Sequence, residues 1–188
     1  MKKMIVMAVV ALMATMSANA QQMFLKPMVG GTLTTFTGDV ENNKMKVGLV
    51  AGAEFGYNFD ESMGVTIGAL YSMQGSGIKH IDDKFKLDYL NIPILFNYNI
   101  IPGLAVKAGV QPGFRMSAKL GDDDVKDLFK TFDFSIPLGL SYEISDFVID
   151  ARYNLGVSNI LDESDGWEPD GKAHNSVIML TVGYKIPF

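Results

Sequence analysis

Apolar side chains alternate with small or polar ones along much of this sequence, and this period of two residues constrains the fold more than any other feature. Between residues 47 and 59 every odd position is apolar, whereas the even positions hold glycine, valine, glutamate or asparagine. A period of two places alternate side chains on opposite faces of a β-strand. The sequence therefore predicts an all-β protein whose strands each have one apolar face.

About eight segments carry this alternation, and the connections between them alternate in length. The long connections fall at about 37–46, 75–86, 119–131 and 159–174, and the short ones near 60–61, 102–103 and 145–146. Long outer loops and short periplasmic turns are typical of barrels that cross a membrane. We therefore expect an eight-stranded antiparallel up-and-down transmembrane β-barrel.

Three prolines fall inside the predicted strands, at Pro93, Pro112 and Pro137. Proline lacks the N–H group that a strand donates to its neighbour, and a closed barrel has no edge where that loss is harmless. We expect β-bulges at these three positions.

Charge distinguishes the two faces of the predicted strands. The polar faces hold four acidic and four basic residues, and the apolar faces of the same segments hold none. A basic residue facing lipid at the bilayer midplane costs about 2 to 4 kcal/mol, so this segregation favours lipid on the apolar face. Aromatic residues near the short turns, such as Tyr98 and Tyr142, fit an interfacial girdle. The alternative is a soluble, lipocalin-like barrel with the apolar face inside and an apolar ligand in its cavity.

The charged residues of the polar face are predicted to form an ion-pair network in the lumen. Its expected members are Glu54, Lys107, Arg115, Asp133, Glu143, Asp150 and Arg152. Arg115 is expected near Asp133, and Lys107 near Glu143. A packing role is favoured over an ion or substrate path, because the interior of an eight-stranded barrel is only wide enough for its side chains.

The long connections supply the candidates for binding. The last one is acidic and contains a tryptophan, and its candidate residues for a protein or glycan partner are Asp162, Asp165, Trp167 and Asp170. Its oxygen-rich side chains are of the kind that bind Ca²⁺, but the spacing matches no EF-hand and no metal or cofactor is predicted. His80 and His174 lie in or beside predicted loops without a nucleophile motif, so no catalytic residue is predicted. The segment containing Val125, Leu128 and Phe129 is expected to form a short helix that docks on the barrel mouth.

The first twenty residues have the order of a secretory signal peptide. Lys2 and Lys3 precede an apolar run from Met4 to Met13, and small residues follow up to Ala20. This order predicts cleavage before Gln21 and a barrel domain over 21–188. The chain has no cysteine, which excludes disulfides and a lipoprotein anchor, and its net charge of −5 disfavours a nucleic-acid partner.

Three short segments carry a resemblance to a known family. The stretches 89–93 (YLNIP), 109–113 (GVQPG) and 150–156 (DARYNLG) resemble the PorT-like outer-membrane β-barrel domain family of Bacteroidota. The resemblance implies an eight-stranded barrel in the outer membrane, in contact with lipid. It also implies that Phe188 is an aromatic signal for the barrel-assembly machinery. We expect a structural or loop-mediated binding role; the alternative is an accessory subunit of an envelope protein export or assembly machine.

Overall fold

Eight antiparallel strands close into a barrel in the computed structural model, which describes residues 22–38, 43–78, 84–120, 123–161 and 171–188. The strands are β1 (Met23–Gly38), β2 (Lys46–Asn58), β3 (Met63–Ile78), β4 (Lys84–Asn91 and Ile94–Ile101), β5 (Leu104–Leu120), β6 (Phe132–Ile144), β7 (Phe147–Gly156) and β8 (Ala173–Tyr184). Each pairs with the next, and β8 pairs with β1. The predicted fold is confirmed. No helix in the described residues is long and apolar enough to cross a membrane.

The strands are staggered around the ring. Following paired residues from Leu33 on β1 through all the other strands leads back to β1 at Met23, ten residues away. With neighbouring strands 4.8 Å apart and residues 3.3 Å apart, this stagger corresponds to a strand tilt of about 40°. The barrel is therefore narrow, and its interior is only wide enough to hold side chains.

The two faces of the strands have the orientation expected for a barrel in lipid. The outward side chain of Val47 is 75% exposed, whereas the neighbouring inward Val50 is 1% exposed. Polar residues and glycine occupy most inward positions, and most of the large apolar residues of the strands face out. This orientation does not favour the alternative of a soluble barrel with an apolar cavity, because most of the phenylalanine, isoleucine and leucine side chains of the strands face outward.

Aromatic side chains form two outward rings. The ring near the short turns comprises Tyr57, Phe59, Tyr98, Tyr142, Phe147 and Tyr184, and the ring near the long loops comprises Tyr71, Phe114, Phe132 and Tyr153. Phe132 and Tyr142 lie ten residues apart on β6. At the same rise of about 3.3 Å per residue and the same tilt, they are separated by about 25 Å along the barrel axis. This separation matches the apolar band of an outer-membrane barrel.

The register changes in places other than the prolines. It shifts at Asp88/Tyr89 against β5 and at Asn99/Ile101. The pairing of β6 runs through Pro137 without a shift, and the expectation of bulges at the prolines is wrong. The Pro112 carbonyl still accepts a hydrogen bond from the Ile92 N–H, and the Pro93 carbonyl accepts one from the Gly68 N–H. Pro112 and Pro137 thus keep their place in the ladder, whereas β4 is interrupted at residues 92–93.

Candidate functional site

A cluster of five charged side chains fills the middle of the barrel, and we call it the ionic layer. Its members are Lys26, Glu54, Lys107, Asp150 and Arg152, all of them buried. Glu54 lies 2.7 Å from the Lys26 ammonium and 2.6 Å from the Arg152 guanidinium. Asp150 lies 2.5 Å from the Lys107 ammonium and 2.8 Å from Arg152 Nε. The layer joins β1, β2, β5 and β7 across the lumen.

Small residues on the neighbouring strands make room for this layer. Gly139 on β6 pairs with Lys107 on one side and with Arg152 on the other. A Cβ atom at Gly139 would lie 2.8 Å from Cγ of Arg152, and one at Gly68 would lie 2.8 Å from Cγ of Glu54. Because glycine separates Lys107 from Arg152, the Lys107 ammonium reaches across β6 to Asp150.

All seven predicted lumen residues occupy inward positions, but the two pairings expected from the sequence do not form. Lys107 pairs with Asp150, and Glu143 instead binds Lys185 at the turn end, 2.8 Å away. Arg115 donates hydrogen bonds to the backbone carbonyls of Phe129 and Lys130. These partners depend on how the segment after β5 folds and on which strands face each other across the ring, and neither is visible in the alternation.

Asp133 and Lys26 also differ from what the sequence predicts. Asp133 accepts hydrogen bonds from the Ser158 hydroxyl and the Asn175 amide, so neutral groups and not Arg115 hold it. Lys26 belongs to the ionic layer, yet sequence reasoning missed it because glycines and threonines blur the alternation in β1. The phase of β1 could have identified Lys26 as an inward residue, because the even-numbered positions of this strand face inward.

The loop end of the lumen is closed by an apolar cluster, which we call the outer plug. Its buried members are Phe36, Leu87, Tyr89, Ala118, Phe129, Ile160 and Ala173. Phe129 is 4% exposed, and its ring centroid lies 5.6 Å from that of Phe85. The segment predicted to form a helix contains one 3-10 turn at Lys126–Leu128, and it docks on the mouth through Phe129.

The turn end is open to solvent. A cleft of about 760 Å³ lies between the three short turns, and its lining includes Asn58, Asp60, Asn99 and the Glu143–Lys185 pair. Toward the barrel centre the ionic layer blocks the lumen. The cleft is thus a blind recess and not the mouth of a channel.

The remaining candidates lie in or beside the long loops. His174 is at the start of β8, with Nδ1 2.8 Å from the Ser158 carbonyl oxygen. His80, Asp162, Asp165, Trp167 and Asp170 lie outside the described residues. Within the described ranges, no group of three or more His, Asp or Glu side chains is placed to hold a metal ion. Each member of the ionic layer contacts a member of opposite charge, which suits a packing role.

Comparison with known proteins agrees with this geometry. One similar structure is that of Ail, the attachment invasion locus protein of Yersinia pestis, which was crystallised with the heparin analogue sucrose octasulfate. Ail is 16% identical to this chain with a TM-score of 0.55, and the match covers 88% of this chain and 99% of Ail. Neisserial surface protein A is 15% identical with a TM-score of 0.52, over 88% of this chain and 97% of the other. These identities show the fold alone.

Sequence comparison then assigns the family. A search of curated proteins gives no match. The family model described as outer membrane protein beta-barrel domain matches residues 16–162, which is most of the chain. The protein therefore belongs to the outer membrane protein beta-barrel domain family and resides in the outer membrane.

Proposed function

We propose that this protein is a non-conducting outer-membrane barrel with a structural or loop-mediated binding role. The observation that carries the proposal is the double closure of the lumen, by the ionic layer in the middle and by the outer plug at the loop end. An eight-stranded barrel has room for its side chains but not for an aqueous channel. The long connections are then the part of the chain that is left to meet a partner.

Conductance tests the closure directly. The folded protein in a planar bilayer should give no steady ion current above that of the bare membrane, because buried side chains of four strands meet across the lumen. Insertion is verified in parallel vesicles by the faster gel migration of the unboiled band. A reproducible unitary current from folded protein would overturn the proposal.

The loop-binding role rests on the acidic segment with Asp162, Asp165, Trp167 and Asp170. Trp167 is the only tryptophan of the chain, so its fluorescence reports on this segment alone. We propose a neutral or basic protein or glycan as the partner, because the acidic residues repel sulfated sugars such as the ligand of Ail. A binding partner should shift the emission of Trp167, and the Asp162→Asn/Asp165→Asn/Asp170→Asn variant should weaken the response to a basic partner. If oligolysine and neutral glycan arrays leave the emission unchanged, the loop has no such role.

We also propose that residues 1–20 are removed on export and that the barrel-assembly machinery inserts the chain. The order of charge, apolar run and small residues supports the cleavage, and the closed β-barrel fold supports the assembly route. The intact mass of protein from outer membranes should correspond to a chain that begins at Gln21. Depletion of the assembly machinery should lower the amount of folded barrel, and an unprocessed or unaffected protein would contradict these two points.

The finer relation to PorT-like barrels is a proposal as well. Two of the segments that resemble that family, 109–113 and 150–156, lie in β5 and β7, and they mark strands and not a partner site. No catalytic role is proposed. Crosslinking in native outer membranes tests the accessory-subunit alternative: recovery of a large envelope export protein would favour it over an independent barrel.

A further inference from the structure

A small polar pocket lies between the turn-end cleft and the ionic layer. Its volume is about 60 Å³, and three lysines of the lumen line it, Lys26, Lys107 and Lys185. The pocket shares Asn58, Asn99, Glu143 and Lys185 with the cleft, so it is reached from the turn end. A single water needs about 10 to 15 Å³, which leaves room here for a small ion.

The ionic layer has more positive than negative charges, and two of its cations line this pocket. The layer contains three cations and two carboxylates. Lys107 and Arg152 both bind Asp150, and the Lys26 ammonium lies 3.7 Å from the same carboxylate. The remaining pair on the pocket wall, Lys185 with Glu143, is neutral overall. An uncompensated charge in a buried site is strongly unfavourable. The two lysines that share Asp150 are the ones that face the pocket.

Neutral polar groups on the wall also lack partners. Thr66 is 3% exposed, and its hydroxyl has no hydrogen-bond partner among the described residues. The same is true of Asn97 Oδ1, and rotation of that amide would present its N–H₂ group to the pocket. Ammonium, hydroxyl and amide donors around one small cavity are the groups that bind an inorganic anion.

We propose that this pocket binds a small inorganic anion, chloride or phosphate, which enters from the turn end and balances the excess positive charge of the ionic layer. Four separate features agree on this: the cavity, the two lysines that share one carboxylate, the buried unpartnered hydroxyl, and the open route from the cleft. The site is independent of the outer loops, so it stands or falls separately from the loop-mediated binding role.

Thermal unfolding in different salts tests the proposal. A ligand that binds only the folded state raises the melting temperature with a saturable concentration dependence. The melting temperature should rise in chloride or phosphate relative to gluconate at equal ionic strength, since gluconate is too large for the pocket. Lys107→Gln leaves two cations facing two carboxylates, so it should abolish this difference. Lys86→Gln removes an exposed lysine elsewhere on the barrel and should keep it.

Two further measurements decide the question if Lys107→Gln fails to fold. Thr66→Val leaves every charge in place and should shift the anion response to higher concentration. Crystals soaked in bromide should show an anomalous peak between Lys26 and Lys107. Equal melting temperatures in all three salts, an unchanged response in Lys107→Gln, or no bromide peak in the pocket would overturn the proposal. Separate chloride and phosphate titrations of the wild type identify which anion is preferred.

Discussion

The ionic layer and the outer plug both close the same lumen, but they do so with different physics. The ionic layer is held by directed ion pairs between side chains on four strands. The outer plug is apolar, and it includes Phe129 and Ile160, which belong to the segments that follow β5 and β7. Its strength depends on buried area and shape and not on particular atom pairs.

Because of this difference, the ionic layer specifies the register of the strands, whereas the outer plug tolerates exchanges of residues. A strand that slips by one residue turns all its inward side chains outward, and in the ionic layer such a slip would place charges in lipid. The layer therefore penalises wrong registers as well as supporting the correct one. The plug accepts other residues of similar volume, since apolar packing tolerates such exchanges. Mutations should break the two regions in different ways.

The largest effect is expected from Asp150→Asn. The substitution keeps the shape of the side chain but leaves three buried cations with one carboxylate, and breaking a buried ion pair in this way costs about 3 to 5 kcal/mol. The free energy of unfolding from lipid vesicles, followed in urea by the mobility of the unboiled gel band, measures it. Asp146→Asn, at an exposed turn, is the matched control. A loss equal to that of the control would show that the ionic layer does not hold the barrel together.

Phe129→Ala should come next, with a local cost of about 3 kcal/mol from the cavity it leaves. The loss should appear as faster hydrogen exchange at the Lys130 and Ile160 amides, which bond to the Ile160 and Ala173 carbonyls. The strands below should keep their protection, because the ionic layer does not depend on the plug. Leu128→Ala removes a neighbour that is 37% exposed and should change the exchange little. Equal effects of the two variants would refute the docking role of Phe129.

Gly139→Ala should cost about 2 kcal/mol, as is usual for forced overpacking. The added methyl group would lie 2.7 Å from the Ala151 carbonyl oxygen and press on Arg152. Gly31→Ala is the matched control on an outward position, where the nearest atom is 3.8 Å away. The two urea midpoints should therefore separate, with Gly139→Ala below the wild type and Gly31→Ala close to it. Coinciding midpoints would show that the space beside Arg152 is not limiting.

The smallest effect is expected from Lys185→Met. Its partner is Glu143, and both side chains are partly exposed at the turn end. An ion pair in contact with water contributes at most about 1 kcal/mol. The urea midpoint should stay close to that of the wild type and become less dependent on salt. A loss as large as that of Asp150→Asn would remove the distinction between the buried layer and the turn-end pair.

Much of the fold follows from local periodicity. The alternation predicted the strands from β2 to β8, and the length of the connections predicted which end carries the loops. The inward positions of Glu54 and Arg152 were also readable, because the phase of a strand fixes the face of each residue. The weak phase of β1 concealed Lys26. The prolines predict bulges at their own positions, but the register shifts arise elsewhere, and no local pattern marks those positions.

The sequence by itself determined an antiparallel barrel with an uncharged outer face, because side-chain alternation and the cost of charge in lipid act within single strands. Only the tertiary structure decided which charges meet. Lys107 reaches Asp150 across an intervening strand because Gly139 leaves room, and Arg115 turns to backbone carbonyls that a folded loop segment presents. These contacts depend on the stagger of ten residues around the closed ring, which is a property of all eight strands together.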